Sequence, residues 1–309
     1  MQSVPSSTTP VLALGELLWD LLPSGKLLGG APANCCFRLR QLGIAARMGS
    51  RVGCDSLGDE IVSTLQERGF DLSLVQRDSS TPTGTVDVRL GADGSPDFTI
   101  TQDVAYDFLD LAPALLQAAH ASSLICFGTL VQRSPIARNT VCALLDASPH
   151  AERFLDINLR KDCFSAQTVL DSLTRATILK LNAAEVEVVS TLANISARDE
   201  RGRVHEILSR FDLDSILVTR GADGVYAVSR DGEEVSLPGI SVRVVDTIGS
   251  GDSFSAGFIA QHLRGATLRE SCHFGNINGA LNATKAGGMP TITPAEIDAF
   301  MREHPVCAA

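Results

Sequence analysis

The chain has 309 residues, 44% of them apolar, and 26 Lys and Arg against 36 Asp and Glu, a net charge of −10. That length and apolar content suit one large α/β domain with a sizeable core, while the acidic balance excludes a sequence-independent nucleic-acid binder and disfavours an anionic-membrane binder. A phosphate ligand would need a local positive field, from helix N-termini and a few placed Arg or Lys.

Met1 to Pro10 lacks a basic stretch followed by an apolar one and is expected to be a frayed tail, not a signal peptide. No apolar run reaches the ~18–20 residues of a membrane span, so a cytoplasmic location is expected. Val11 to Leu17 reads as the first strand, broken at Gly15 and followed by turn chemistry at Asp20, Pro23 and Gly25. Gly29-Gly30-Ala31-Pro32-Ala33-Asn34 opens a helix through Leu42, with Gly43 as its stop. Strands near 45–52, 71–76, 122–127, 152–157, 177–181 and 214–219 alternate with helices near 56–68, 133–147, 165–175, 183–193 and 200–210. The alternation predicts an α/β fold: a doubly wound, mostly parallel sheet flanked by helices on both faces. Between them, 84–90 and 97–101 read as a hairpin around a Gly91/Gly94 turn. Its Val86, Val88 and Leu90 face has no place in a doubly wound core, so the hairpin is read as a flap over the sheet or a dimer contact. Short strands and turns fill 224–245, and helices near 250–264, 267–286 and 294–303 finish the chain. No repeat or long linker divides it.

The densest chemical signal is Asp246-Thr247-Ile248-Gly249-Ser250-Gly251-Asp252. Small residues let the backbone turn sharply into a helix whose first N–H groups point at an anion. Asp252 in that first turn is expected to be kept ionised and able to accept a hydroxyl proton. The bland alternative is a helix capped by Asp246 or Ser250. Thr219-Arg220-Gly221-Ala222-Asp223-Gly224 follows a buried strand, where glycines let a phosphate lie against the backbone. Asn182 and Glu185 stand three apart at a helix start, suited either to a hydrated Mg²⁺ or, more simply, to an N-cap with its acidic partner. Asp156, Asn158 and Arg160 alternate at a strand end and share one direction, and Asp156 and Arg160 could pair. Asp20 and Asn34 would converge on the same edge. The eight cysteines lack a Cys-x-x-Cys pair and read as reduced, mainly buried thiols, and the six histidines show no metal spacing.

These pieces in this order resemble the ribokinase family of sugar kinases, also called the PfkB family, from about residue 11 to 303, and look most like its fructokinase branch. The resemblance implies a single ribokinase-like domain over 1–309, with a small β lid formed by about 18–28 and 83–103. Only eight residues separate Asp20 from Gly29, which leaves room for little more than one short strand. The lid often pairs with that of a second subunit, so a homodimer is implied as possible. The implied reaction is phosphoryl transfer from MgATP to a sugar hydroxyl, most like that of fructose. Asp252 would be the base and the Gly249, Ser250, Gly251 and Asp252 backbone the anion hole. Asp20, Gly30, Asn34 and Arg160 match the sugar contacts. Thr219, Gly221, Gly224 and Asn276 would line the ATP site, with Asn182 and Glu185 positioning Mg²⁺ through water. K⁺ is implied beside the anion hole, at Asp246, Ile248 and Gly287. The family's other acceptors, 2-keto-3-deoxygluconate, ribose or a nucleoside, are the alternatives, with an idle nucleotide- or sugar-binding regulator as the reading of another class. A lid arginine expected near 102 is replaced by Gln102, which makes a keto-acid substrate less attractive. Trp19 is read as lid packing or sugar stacking.

Overall fold

Val11-Leu12-Ala13-Leu14 is apolar at every position because both faces of its sheet are covered. Val11 and Ala13 enter one hydrophobic cluster, and Leu12 and Leu14 the other. The computed structural model describes residues 10–23, 25–90 and 96–306, with side chains at all of these except 88–90 and 96–98. The expected tail at 1–9, the Gly91/Gly94 turn, the side chains of Val88 and Leu90, and Cys307 lie outside the described residues.

In chain order, β1 (Val11–Leu14) leads into β2 (Leu18–Leu22), β3 (Gly25–Gly29), α1 (Ala31–Gln41), β4 (Ala46–Gly53), α2 (Ser56–Glu67) and β5 (Val75–Asp78). Next come β6 (Gly84–Leu90), β7 (Pro96–Ile100), α3 (Pro113–Ala121), β8 (Leu124–Phe127), α4 (Pro135–Asp146), β9 (Glu152–Asp156), α5 (Ala166–Arg175), β10 (Ile178–Asn182), α6 (Ala183–Leu192), α7 (Glu200–Arg210) and β11 (Ser215–Thr219). β12 (Val225–Ser229), β13 (Glu234–Leu237), α8 (Ser250–His262), α9 (Leu268–Ala283) and α10 (Pro294–Glu303) close the chain.

The large sheet has the order β13-β12-β11-β10-β9-β8-β1-β4-β5, parallel except at β12 and β13. The apolar faces of α3 to α7 pack on one side, while α1, α2 and α8 cover the other. After β1 the chain moves outward through β4 and β5, then returns to β8 on β1's opposite flank. Strand order therefore reverses at β1, and the crevice outside the carboxyl ends of β1 and β8 is the place where such sheets bind ligands.

The second sheet, order β3-β2-β6-β7, contains the predicted hairpin and corrects two expectations. The stretch from Asp20 to Gly29 accommodates two paired strands, because Leu22 already pairs with Gly25, with Asp20 inside β2 opposite Leu27. Val86 does find a core. It is buried with Leu18 and Tyr106 in the cluster on the α3 to α7 side, because β6 lies parallel to β2 instead of standing off as a lone hairpin. Two other local corrections arise. The strand predicted at 71–76 begins only at Val75, because the Asp71 side chain accepts from Ser73 N–H (2.9 Å) and Leu72 C=O from Val75 N–H (2.9 Å) to make turns. Helix α3, with proline in its first turn, was not anticipated, since its alanines give little hydrophobic contrast.

Candidate active site

Helix α8 starts without a cap. Gly249 sits at its N-cap in the left-handed region (φ +75°), and a side chain there would place Cβ 2.5 Å from Gly288 Cα. The Ser250 N–H turns back to Thr247 C=O (3.1 Å), while no described group accepts from the Gly251 or Asp252 N–H, and the buried Ser250 hydroxyl has no partner. Unfilled donors at the positive end of a helix make an anion site. Neither Asp246 nor Ser250 caps the helix, so the bland alternative does not form. Asp246 instead accepts from the Ile248 N–H (3.0 Å) and the Gly287 N–H (2.9 Å), while the Ile248 C=O accepts from Asn282 Nδ2 (2.8 Å). Asp246, Ile248 and Gly287 thus meet beside the uncapped turn.

Asp252 is buried and accepts from Asn34 Nδ2 (2.7 Å). Its carboxyl is pushed up to about 6, chiefly by burial and then by Asp156, against the Asn34 hydrogen bond and the charges of Lys180 and Arg160. Loss of solvent outweighs the helix dipole, so the terminus does not hold the carboxyl low, yet at about 6 it is still largely ionised at neutral pH. Asp156 and Lys180 are register partners on β9 and β10, and Lys180 Nζ lies 3.0 and 3.2 Å from the two carboxylate oxygens. Ser255, one turn beyond Asp252 on α8, donates to the same Asp156 (2.8 Å). Burial alone would lower the lysine's pKa, but Asp156, Glu185 and Asp252 hold it above the usual range. The pairing of Asp156 with Arg160 considered from sequence does not occur. Asn158 adopts φ +41°, which ends the strand alternation, and Arg160 stands exposed without an ion-pair partner among the described residues. Its charge still bears on Glu16, Asp20 and Asp252.

The N-terminal motif closes the other side. A Cβ on Gly29 would come 2.4 Å from the Asp20 carboxylate, and one on Gly30 (φ +111°) 2.3 Å from the Glu16 carbonyl, so both glycines permit backbone approach. Asn34 Oδ1 is buried and unpartnered. Asp20 is pushed up to about 6 by burial, with Arg160 opposing and Asp252 and Asp246 adding to it. Trp19 points away from this site: it is buried and donates from its indole N–H to the Leu57 C=O (3.0 Å), so its role is packing. At the carboxyl ends of β1, β8 and β9 a cavity open to solvent is lined by Glu16, Ala31, Cys35, Cys126, Asp156, Asn158 and Arg160, among others. Sequence reading assigns Glu16 no site role. Its place directly behind the first strand, beside Gly15, was the available signal.

On the far side of β10, Asn182 and Glu185 form a capping box: Asn182 Oδ1 accepts from the Glu185 N–H (2.9 Å), and Glu185 Oε2 from the Asn182 N–H (2.8 Å). Glu185 Oε1 accepts from the Leu159 N–H (2.8 Å), which fixes the loop that carries Arg160. Asn182 is the register partner of Thr219 on β11. Gly221 and Gly224 follow at φ +57° and +91°, and Asn276 Nδ2 holds the Pro238 C=O (3.2 Å). No cluster of three His, Cys, Asp or Glu side chains able to hold a metal occurs among the described residues, and no helix among them is long and apolar enough to cross a membrane.

The pfkB family of carbohydrate kinases matches residues 25–295. The chain is 32% identical over 262 residues to a fructokinase of Klebsiella pneumoniae and 30% identical over 261 residues to one of Escherichia coli, in each case over 81% of this chain and 83% of the relative. Its fold is similar to that of an ATP-bound fructokinase from Xylella fastidiosa (TM-score 0.84, 21% identity, 95% of this chain and 98% of that one). It is likewise similar to a double mutant of Vibrio cholerae fructokinase bound to fructose, ADP and potassium ion (TM-score 0.81, 23% identity, 96% and 99%).

Proposed function

This chain belongs to the pfkB family of carbohydrate kinases, and we propose that within it the protein phosphorylates a neutral sugar, fructose, at a hydroxyl set against Asp252, with ATP as donor. The observation that carries the choice of acceptor is the charge around the cavity. Glu16, Asp156 and Arg160 line it, Asp20 and Asp252 stand close enough for the Arg160 charge to act on both, and Lys180 is engaged by Asp156, which leaves Arg160 as the remaining cation. An acceptor bearing its own carboxylate or phosphate would meet three carboxylates with one guanidinium in compensation. A neutral polyol instead supplies the donors these acceptors lack. The fructokinases among the relatives agree with this choice.

Asp252 takes the hydroxyl proton, its pKa of about 6 leaving it largely ionised at neutral pH yet basic enough for the task. The Gly251 and Asp252 N–H groups and the Ser250 hydroxyl receive the charge of the transferring phosphoryl group. Lys180 lies beneath this turn, its Nζ 3.2 Å from where a Cβ on Gly251 would stand. Asp20, the Gly30 backbone, Asn34 and Arg160 hold the sugar; the unpartnered Asn34 Oδ1 fits a hydroxyl donor. Thr219, Gly221, Gly224 and Asn276 border the nucleotide. Both Glu185 oxygens accept backbone N–H bonds, so Asn182 and Glu185 would reach Mg²⁺ only through water, and the ion would neutralise the ATP phosphates. K⁺ would be held by the oxygens of Asp246 and Ile248 near Gly287, where each Asp246 oxygen retains a lone pair beyond its one N–H bond. Because the second sheet carries Asp20, it serves as the lid.

The test is ADP release with Mg²⁺ and K⁺ across fructose, ribose, a nucleoside and 2-keto-3-deoxygluconate. Fructose should give the highest kcat/KM, and preference for the sugar acid would refute the charge argument. Asp252→Asn should lower kcat by about 10²–10⁴-fold while ATP affinity stays within a few-fold.

A further inference from the structure

Glu16 has one carboxylate oxygen with a task and one without. Oε1 accepts from the Ala31 N–H (3.0 Å) at the start of α1, where the N-cap, Gly30, has no side chain to do so. No other described residue donates to Oε2, and only Glu16's own backbone N–H approaches the carboxylate besides Ala31. The residue is 4% exposed and lines the cavity together with Cys35, Cys126, Asp156 and Asn158. Capping alone does not account for a carboxylate. A helix cap is worth about 1 kcal/mol, whereas burying an ionised group costs several kcal/mol unless donors compensate it. A glutamine would cap Ala31 equally well without a charge.

We infer that Glu16 determines acceptor specificity: its second oxygen accepts a hydrogen bond from a sugar hydroxyl at the inner end of the cavity, a contact additional to those of Asp20 and Asn34. This rests on the reading that a neutral sugar occupies the site. Burial pushes the Glu16 carboxyl up to about 7, against the hydrogen bonds of its own and the Ala31 backbone N–H and the charge of Arg160, with Asp252 adding to the shift. The site offers this position to a hydroxyl, because, of the donors that line the same cavity, Thr129 is engaged by the Ile157 C=O and neither Asn158 nor Arg160 hydrogen-bonds to Glu16, while Cys35, Cys126, Ala31 and Pro32 supply no strong donor.

Glu16→Gln separates the two tasks. Its carbonyl oxygen keeps the bond to Ala31, and its NH₂ replaces the free acceptor with a donor. Wild type and variant are compared on fructose and on its monodeoxy analogues, with kcat/KM for each sugar and KM for ATP measured. We expect kcat/KM for fructose to fall about 10- to 100-fold with KM for ATP unchanged. One deoxy analogue, poor with wild type, should be penalised far less in the variant, so that variant and deletion do not multiply. Equal penalties for every analogue in both proteins would reduce Glu16 to a cap and overturn the inference. Should Glu16→Gln fail to fold, Glu16→Asp, which withdraws the carboxylate by one methylene, must shrink the same single penalty, and unchanged penalties again overturn it. Absence of turnover of any neutral sugar by wild type defeats the underlying fructose reading, and the inference with it.

Discussion

At Asp252 two effects of opposite sign meet, and their magnitudes decide the outcome. A helix N-terminus favours a carboxylate by about 0.3–2 kcal/mol. The shift from 3.8 to about 6 corresponds to about 3 kcal/mol in the opposite direction. Since the ionised form is the base, kcat/KM should decline about tenfold per pH unit below about pH 6, which a pH–rate profile would reveal. The same shift links to stability. A raised carboxyl pKa means that the fold favours the protonated form, so this stabilisation is complete below the unfolded value and lost as pH rises through about 6. Asp252→Asn should therefore be inactive yet more stable at neutral pH, by about 1–3 kcal/mol, with thermal unfolding as the measurement. Glu16 and Asp20 carry shifts of the same sign.

Among the elements, the junction between the second sheet and the body is held by Arg133. Its Nε and Nη2 donate to the two oxygens of Asp107 (2.7 Å each), and Nη2 also donates to the Thr101 C=O (2.6 Å), just past β7. The guanidinium lies over the Tyr106 ring, and the Asp107 carboxylate also accepts from the Val104 N–H (3.1 Å). With side chains 10% and 5% exposed, removing one partner strands a buried charge. Asp107→Ala should cost about 3–5 kcal/mol, and the Arg133→Met/Asp107→Leu double variant less than the sum of the single changes, by urea denaturation. Nothing in the sequence pairs residues 26 apart in this way. The capping boxes at Asn182/Glu185, Thr267/Glu270 and Thr293/Glu296, by contrast, are closed within three residues and form as their spacing implies.

For the whole molecule, the −10 charge and the handling of phosphates are compatible because positive potential is concentrated at the uncapped α8 turn, Lys180 and Arg160. The second sheet carries Asp20 and packs Val86 and Leu18 against the body through Tyr106. If it closes on the sugar as proposed, fructose should raise amide protection in Leu18–Leu22 and residues 84–87 by hydrogen exchange, while the central strands β8 to β11 stay unchanged. Uniform protection across both sheets would contradict a lid.

The strand–helix alternation, the uncapped Gly-Ser-Gly-Asp turn and the glycine-rich start of α1 were legible in the amino-acid order, because each depends on dihedral preferences and hydrogen bonds within a few residues. The partner of each charge was not. Asp156 meets Lys180 through strand register, and Asn34 meets Asp252 across 218 positions only because the starts of α1 and α8 converge at the strand ends. That Glu16 lines the cavity became visible only with the fold. Tertiary structure alone decided these matters, since burial and through-space charge set pairing and protonation, and both depend on which distant segments exclude water from one another.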